Sequence, residues 1–161
     1  MTRPPAPVDF YQAGSYRAEE SVGYLMKRVL LSIVQQADKR LGAVDLTMAQ
    51  WGPLMRLHQM GQLPVAELAR WVNTDAGAMT RLLDRLEKKG LCKRVRSLED
   101  RRVVMVELTA EGRVAIEHVP AVLSEVMNLH LAGFSKTEWQ AMNTYLNRMI
   151  TNGDALLESG A

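Results

Sequence analysis

Cysteine is almost absent from the sequence. Cys92 stands alone, which excludes an intrachain disulfide framework and any metal site built on a cysteine cluster. Histidine is scarce too: His58, His118 and His130 lie far apart, without partners at ligand spacing, so neither a metal nor another cofactor is expected. Long apolar runs are missing. The VLLSIV of Val29 to Val34 falls far short of a membrane span, and the opening MTRPPAPVDF has no apolar stretch of the secretory kind. A cytoplasmic protein with no membrane partner is therefore expected. Nor does the chain carry a glycine-rich phosphate loop, a nucleophile elbow or a metal-binding helix, and carboxylates such as Glu19 and Glu20 pair only in sequence, so no catalytic residues and no enzyme are expected.

What is present is enough to fold. The 161 residues are 47% apolar, sufficient for a real core in one domain or two closely packed lobes. Net charge is only +2, but it is unevenly spread. Between Arg81 and Arg102 nine basic residues face four acidic ones, a local balance of +5 that leaves −3 for the rest of the chain. Such concentration in one segment points to a face for a polyanion rather than to an ordinary solvated surface.

Helix punctuation orders the remainder. Val22, Leu25, Val29, Ile33, Ala37 and Leu41 recur at threes and fours, which predicts a long helix from Arg17 to Leu41 closed by Gly42. Thr47 and Gln50 are spaced as a capping box, with Leu46 and Trp51 as its hydrophobic staple, for a second helix that Pro53 should bend. Pro64 suits the first turn of a short third helix with Val65, Leu68, Ala69 and Val72 inward. A turn at Val72 and Asn73 leads to a fourth helix, capped by Thr74 or Asp75 and closed by Gly90.

On that fourth helix Met79, Leu82, Leu83 and Leu86 form one stripe, while Thr74, Gly77, Arg81, Asp84, Arg85 and Lys88 take the opposite side. Gly77 and Ala78 are small enough for a partner to approach the backbone closely. Two short helices with a tight turn, the second polar and small at its outward end, are the pattern of a helix-turn-helix. Leu91 to Arg96 and Val103 to Leu108 then read as two strands joined by the charged SLEDRR, and a hairpin in that place is a wing. Arginine at its tip suits the narrow minor groove. Asp100 is expected to accept from the Arg102 guanidinium and aim it. Thr109 caps a fifth helix, with Glu111 in its first turn.

The segments GYLMKRV, LTMAQWGPL, VAELARWV, MTRLLDRLEKKGLCKR and DRRVVMVELTAEG resemble the MarR family of winged-helix transcriptional regulators, the spacing of Asp100, Arg102, Leu108, Thr109 and Gly112 most specifically. The resemblance implies a mainly α fold with a small β-hairpin wing, in which a winged helix-turn-helix lobe (about 46–109) sits on a helical dimerisation base (about 17–42 and 109–158) behind a flexible arm (1–16). It implies a homodimer on inverted-repeat double-stranded DNA, acting as a repressor released by a small aromatic or phenolic anion. The expected DNA-binding residues are Thr74, Asp75, Gly77, Ala78, Arg81, Arg85, Lys88, Arg94, Arg96, Asp100, Arg101 and Arg102. Tyr24, Arg28, Trp51 and Met55 are the candidates for ligand binding, with Arg28 as charge partner and Trp51 as stacking wall. Pro53 departs from the family pattern.

The C-terminal part suits a dimer base on its own physics. Ser135 and Glu138 form a second capping box stapled by Phe134 and Trp139, ahead of Met142, Leu146, Met149 and Ile150 on one face. The fifth helix is expected to bend at Pro120 and carry Val119, Val122, Leu123, Val126 and Leu129. Cys92 reads as a small packed side chain, with redox sensing as the rival role that Lys93 and Arg94 would favour by lowering its pKa. Two other functions remain open at this point: a DNA binder without a small ligand, and a helical protein-interaction module with a basic face.

Overall fold

The computed structural model describes residues 6–97, 100 and 102–159. The first long helix, α1 (Val22–Leu41), starts later than its apolar spacing predicts. Residues Ala18–Glu20 make a 3-10 turn, and Ser21 takes the capping role, its Oγ accepting from the Tyr24 N–H at 3.3 Å and donating to the Ala18 carbonyl at 2.6 Å. Upstream, the described part of the arm is tied to this helix. The Tyr11 hydroxyl accepts the Val22 N–H at 2.9 Å, and Tyr11 packs edge-on to Tyr16 at 5.8 Å between centroids.

The second helix, α2 (Met48–Met60), does not form the expected capping box. Thr47 makes no side-chain cap bond; the Met48 N–H donates instead to Asp38 Oδ1 at 2.5 Å, because an ionised carboxylate from α1 is a better acceptor than a hydroxyl. Gln50 is buried and accepts from Lys89 Nζ at 3.3 Å. The helix runs on through a buried Pro53. A two-residue strand that the sequence did not announce, β1 (Leu63–Pro64), comes next, and Pro64 caps α3 (Val65–Trp71) rather than lying in its first turn.

Asn73, in the left-handed region at φ 52°, makes the turn into α4 (Ala76–Lys88), whose N-cap is Asp75. Gly90 ends α4 at φ +71°, its N–H bonded to the Glu87 carbonyl while that of Leu91 reaches Leu86, the two-bond closure that a left-handed glycine permits. β2 (Cys92–Arg96) and β3 (Val104–Leu108) pair antiparallel, with Cys92 opposite Leu108 and Arg96 opposite Val104. β1 adds to the other side of β3, giving the order β1-β3-β2. Val106 and Leu108 are buried while Val104, toward the tip, is exposed.

Beyond the sheet, the expected single bent helix is two. α5 (Ala110–Glu117) stops with His118 as its cap, and α6 (Val119–His130) restarts at once. Pro120 lacks an N–H and, as the second residue of the new helix, needs none. α7 (Lys136–Ser159) completes the chain behind the predicted capping box. There Glu138 Oε2 accepts from both the N–H (2.8 Å) and the hydroxyl (2.7 Å) of Ser135, and Ser135 Oγ accepts the Glu138 N–H at 3.2 Å.

By contacts the chain divides into two units, Leu30–Met127 and a terminal unit of the segments before and after it. Among the described residues, every buried apolar side chain belongs to the first, from Ala37 and Leu41 through Leu54, Leu68, Met79, Leu83 and Val106 to Val126. The terminal unit leaves large apolar groups open, including Phe10, Leu25, Val29, Trp139, Tyr145 and Ile150. Among the described residues, no helix is long and apolar enough to cross a membrane.

Candidate nucleic-acid interface

The interface is built on α4. Its Met79, Leu82, Leu83 and Leu86 are buried, which turns the opposite row outward: Gly77, Arg81, Asp84, Arg85 and Lys88 are exposed, Thr74 and Ala78 half-buried. Asp75 opens the helix, its Oδ1 accepting from the Ala78 N–H at 2.8 Å. That bond holds the Asp75 carboxyl below its ordinary pKa against the opposing effect of desolvation, with lesser help from the Gly77 N–H and the charge of Arg81. A Cβ at position 77 would stand 3.1 Å from Asp75 Oδ1 and 3.4 Å from Arg81 Nη1, so the glycine lets cap and guanidinium converge at the helix start. Thr74, Ala78 and Arg85 also line a shallow groove of about 370 Å³ with Met48, Pro53 and Val72.

The wing stands next to α4 in the chain and is fastened to the same unit. The Ser97 N–H donates to the Val103 carbonyl at 3.0 Å and the Val103 N–H to that of Asp100 at 2.9 Å. Arg96 and Arg102 are exposed, as is Asp100. Asp100 does not grip the Arg102 guanidinium as expected. Its Oδ1 accepts the Arg102 backbone N–H at 2.9 Å, the two-residue reach of an Asx turn, which fixes the loop and leaves the side chain to point outward. Arg101 lies outside the described residues. Lys93 pairs with Glu107 across the strands at 2.9 Å.

Arg94 is placed differently from its neighbours. Its guanidinium meets Asp84 at 2.7 Å and Glu87 at 2.5 Å and donates to the Thr80 carbonyl at 3.0 Å. These carboxylates were not foreseen as its partners. Cys92, two residues earlier, is buried, and its thiol pKa is pushed up to about 12 by burial and then by Glu87, against a lesser pull from Arg94. The sensitising effect expected of neighbouring cations is therefore overridden, and the packed reading of Cys92 stands. Also unforeseen is Lys89, which bonds the carbonyl and carboxylate of Asp45 as well as Gln50, pinning the end of α4 to the approach to α2.

The hinge between wing and α5 is equally specific. Thr109 Oγ1 accepts the Gly112 N–H at 3.0 Å and donates to the Gly90 carbonyl at 2.6 Å. A Cβ at Gly112 would fall inside the Leu91 carbonyl. Of the four candidates for ligand contact, Tyr24 and Arg28 are exposed on α1 in the terminal unit, while Trp51 and Met55 are half-buried on α2 in the other. Trp51 directs its indole N–H to Met48 Sδ at 3.0 Å. Among the described residues no group of three metal-ligating side chains occurs.

Comparison with known proteins agrees with this geometry. The MarR family model matches residues 46–104. The HTH-type regulator YhbI of Bacillus subtilis is 35% identical over 94 residues, which span 58% of this chain and 57% of that protein. The HTH-type transcriptional repressor IacR of Pseudomonas putida is 26% identical over 141 residues, 88% of this chain and 84% of its own length. Among solved structures, a mutant of Escherichia coli MarR in complex with operator DNA superposes with a TM-score of 0.75 at 26% identity, over 80% of this chain and 92% of that one. Bordetella bronchiseptica BpsR, whose DNA binding is regulated by 6-hydroxynicotinic acid, gives 0.75 at 25% identity over 83% and 96%. The fold is that of transcriptional regulators rather than of enzymes. With an Asp-capped α4, a wing carrying Asp100 and Arg102, and a Gly112 packed against the Leu91 carbonyl, the segment 46–104 matches the MarR family of transcriptional regulators, and the chain is similar in fold to solved MarR-type winged helix-turn-helix proteins.

Proposed function

We propose that this protein is a repressor that binds an inverted-repeat operator as a homodimer and is released by a small aromatic acid. The observation that carries the reading is the pairing of an outward basic row on α4 (Arg81, Arg85, Lys88) with exposed Arg96 and Arg102 on a wing of the same unit. α4 enters the major groove, where Thr74, Asp75, Gly77 and Ala78 bring its N-terminal end against the bases and Arg81 reads a base edge or the adjacent phosphate. Arg102 enters the neighbouring minor groove, oriented by the loop that Asp100 fixes. Lys88, Arg96 and Arg101 meet phosphates. The operator complex of E. coli MarR supports this mode, and the open apolar groups of the terminal unit support a second copy as the partner that covers them.

Two-fold symmetry requires half-sites about one helical turn, roughly 10 bp, apart. The test is binding to duplex DNA as a function of salt. Each phosphate contact removed should flatten the log-log slope by about 0.9, and Arg102→Ala should weaken binding without unfolding the dimer. Unchanged affinity in that variant at moderate salt rejects the wing assignment.

BpsR and its aromatic acid support ligand release. A ligand acts only by preferring the conformation that does not fit DNA, so operator must weaken ligand binding by the factor by which ligand weakens operator binding. Arg28, exposed on α1, is the proposed anion partner, with Tyr24 one turn earlier on the same helix as the proposed aromatic contact. A thermal-shift screen of aromatic acids, repeated with operator present and with Arg28→Ala, tests both claims: hits indifferent to operator reject the switch, and hits indifferent to the substitution reject the anion contact.

A further inference from the structure

Within the basic segment, Arg94 is the cation that joins β2 to α4. Arg94, at the centre of β2, faces the second half of α4: Nη1 lies 2.7 Å from Asp84 Oδ1 and 2.5 Å from Glu87 Oε2, and Nη2 donates to the Thr80 carbonyl at 3.0 Å. The Arg94 backbone N–H donates to the other Glu87 oxygen at 2.7 Å. Thr80, Asp84 and Glu87 follow one another at four and three residues, so a single guanidinium spans about two turns of one helix face. Glu87 is satisfied by backbone and side chain of the same residue. The flanking cations do neither: Lys93 pairs across the hairpin, and Arg96 is exposed.

We propose that Arg94 is a positioning residue for DNA binding: it clamps the wing to α4, so that Arg102 is delivered to the minor groove at the place set by α4 in the major groove. It makes no phosphate contact of its own. This rests on the reading of α4 and the wing as a DNA-binding pair. The clamp needs a planar fork with donors on both sides, which arginine has and lysine lacks. It also pairs with two carboxylates that would otherwise stand unneutralised against the phosphates, so Asp84 and Glu87 become anchors for the wing.

The reading makes an unusual demand on Glu87. Removing a negative charge beside a polyanion should tighten binding if the carboxylate is only a surface charge; removing half of a clamp should weaken it. The experiment uses a duplex selected by the wild-type protein from a randomised pool, with affinity measured by fluorescence anisotropy at one fixed salt. Arg102→Ala and Arg94→Gln should each weaken binding on the order of tenfold. The double variant should be no weaker than Arg102→Ala by more than about twofold, because Arg94 acts through the wing. Glu87→Gln should weaken binding despite losing a negative charge, and Arg94→Lys, which keeps its charge and covers the case in which Arg94→Gln does not fold, should share the loss.

Losses that multiply in the double variant, tighter or unchanged binding by Glu87→Gln, or full affinity in Arg94→Lys would each overturn the clamp while leaving the wing a DNA contact. An Arg102→Ala protein that binds like wild type would remove the wing reading and the clamp with it.

Discussion

At the scale of single residues, Cys92 shows how completely surroundings decide a side chain's chemistry. Buried at the base of the wing, with a pKa of about 12 against an ordinary 9.0, it stays a neutral thiol throughout the physiological range and is a poor nucleophile. A thiol-specific reagent at pH 8 should label it slowly in the native protein and rapidly in denaturant; equal rates would contradict the burial. The same shift bears on stability. Because the folded thiol holds its proton to a higher pH than the unfolded one, its contribution is complete below about pH 9 and is lost as pH rises toward 12. Cys92→Val should therefore lose less stability than wild type over that interval in alkaline melts. Gly112 is governed by space rather than charge. A methyl there must displace the Leu91 carbonyl or the start of α5, and Gly112→Ala should cost at least about 1–3 kcal/mol, as overpacking against a rigid neighbour does. Denaturant titration measures it, and a variant as stable as wild type would mean that the backbone yields easily.

The elements were legible where local chemistry is decisive and illegible where a distant group intervenes. The Ser135 and Glu138 box, the Thr109 cap, the buried stripe of α4 and the glycine that ends α4 all depend on residues within a turn or two of one another, and they formed as spacing predicts. Thr47 and Gln50 have equally good spacing, yet Asp38 and Lys89 outcompete them from other helices, which no local pattern contains. β1 is two residues long and exists only because β3 offers it a partner. In the candidate site, the outward row of α4 and the wing arginines follow from periodicity alone. The duty of Arg94 had one faint signal: in a strand it shares a face with buried Cys92 and so points back toward the lobe. Within α4 the undecided cap is settled as Asp75, and its role is testable by pH. Its carboxyl is held below the usual range by the Ala78 N–H first, so the cap is intact above about pH 3.8 and lost as pH falls through the lowered value. Asp75→Asn keeps an acceptor that does not titrate. The stability difference between Asp75→Asn and wild type measured near neutrality should shift in favour of the asparagine as pH falls toward 3; a constant difference would mean that the carboxylate charge adds nothing to the cap.

For the whole molecule, the distribution of burial is the strongest argument for association. The terminal unit has no buried apolar side chain among its described residues, an arrangement that single chains in water seldom keep. If a second copy covers it, the unfolding midpoint must rise with protein concentration, since dissociation accompanies unfolding. Ile150→Glu, placing charge among those exposed groups on α7, should shift sedimentation toward a monomer and lower that midpoint; a concentration-independent midpoint in the wild type would argue for a stable monomer. The three-stranded sheet bears on the same question from the opposite direction. One of its outer strands is two residues long and contains Pro64, which has no N–H to offer; the other holds Lys93, Arg94 and Arg96 among five residues. Neither rim invites another strand to add itself. Self-association by strand addition, the route to open-ended polymers, is thus discouraged at both margins of the sheet, whereas the exposed Leu25, Val29, Trp139, Tyr145 and Ile150 lie on helices and offer side chains rather than unpaired backbone to a partner.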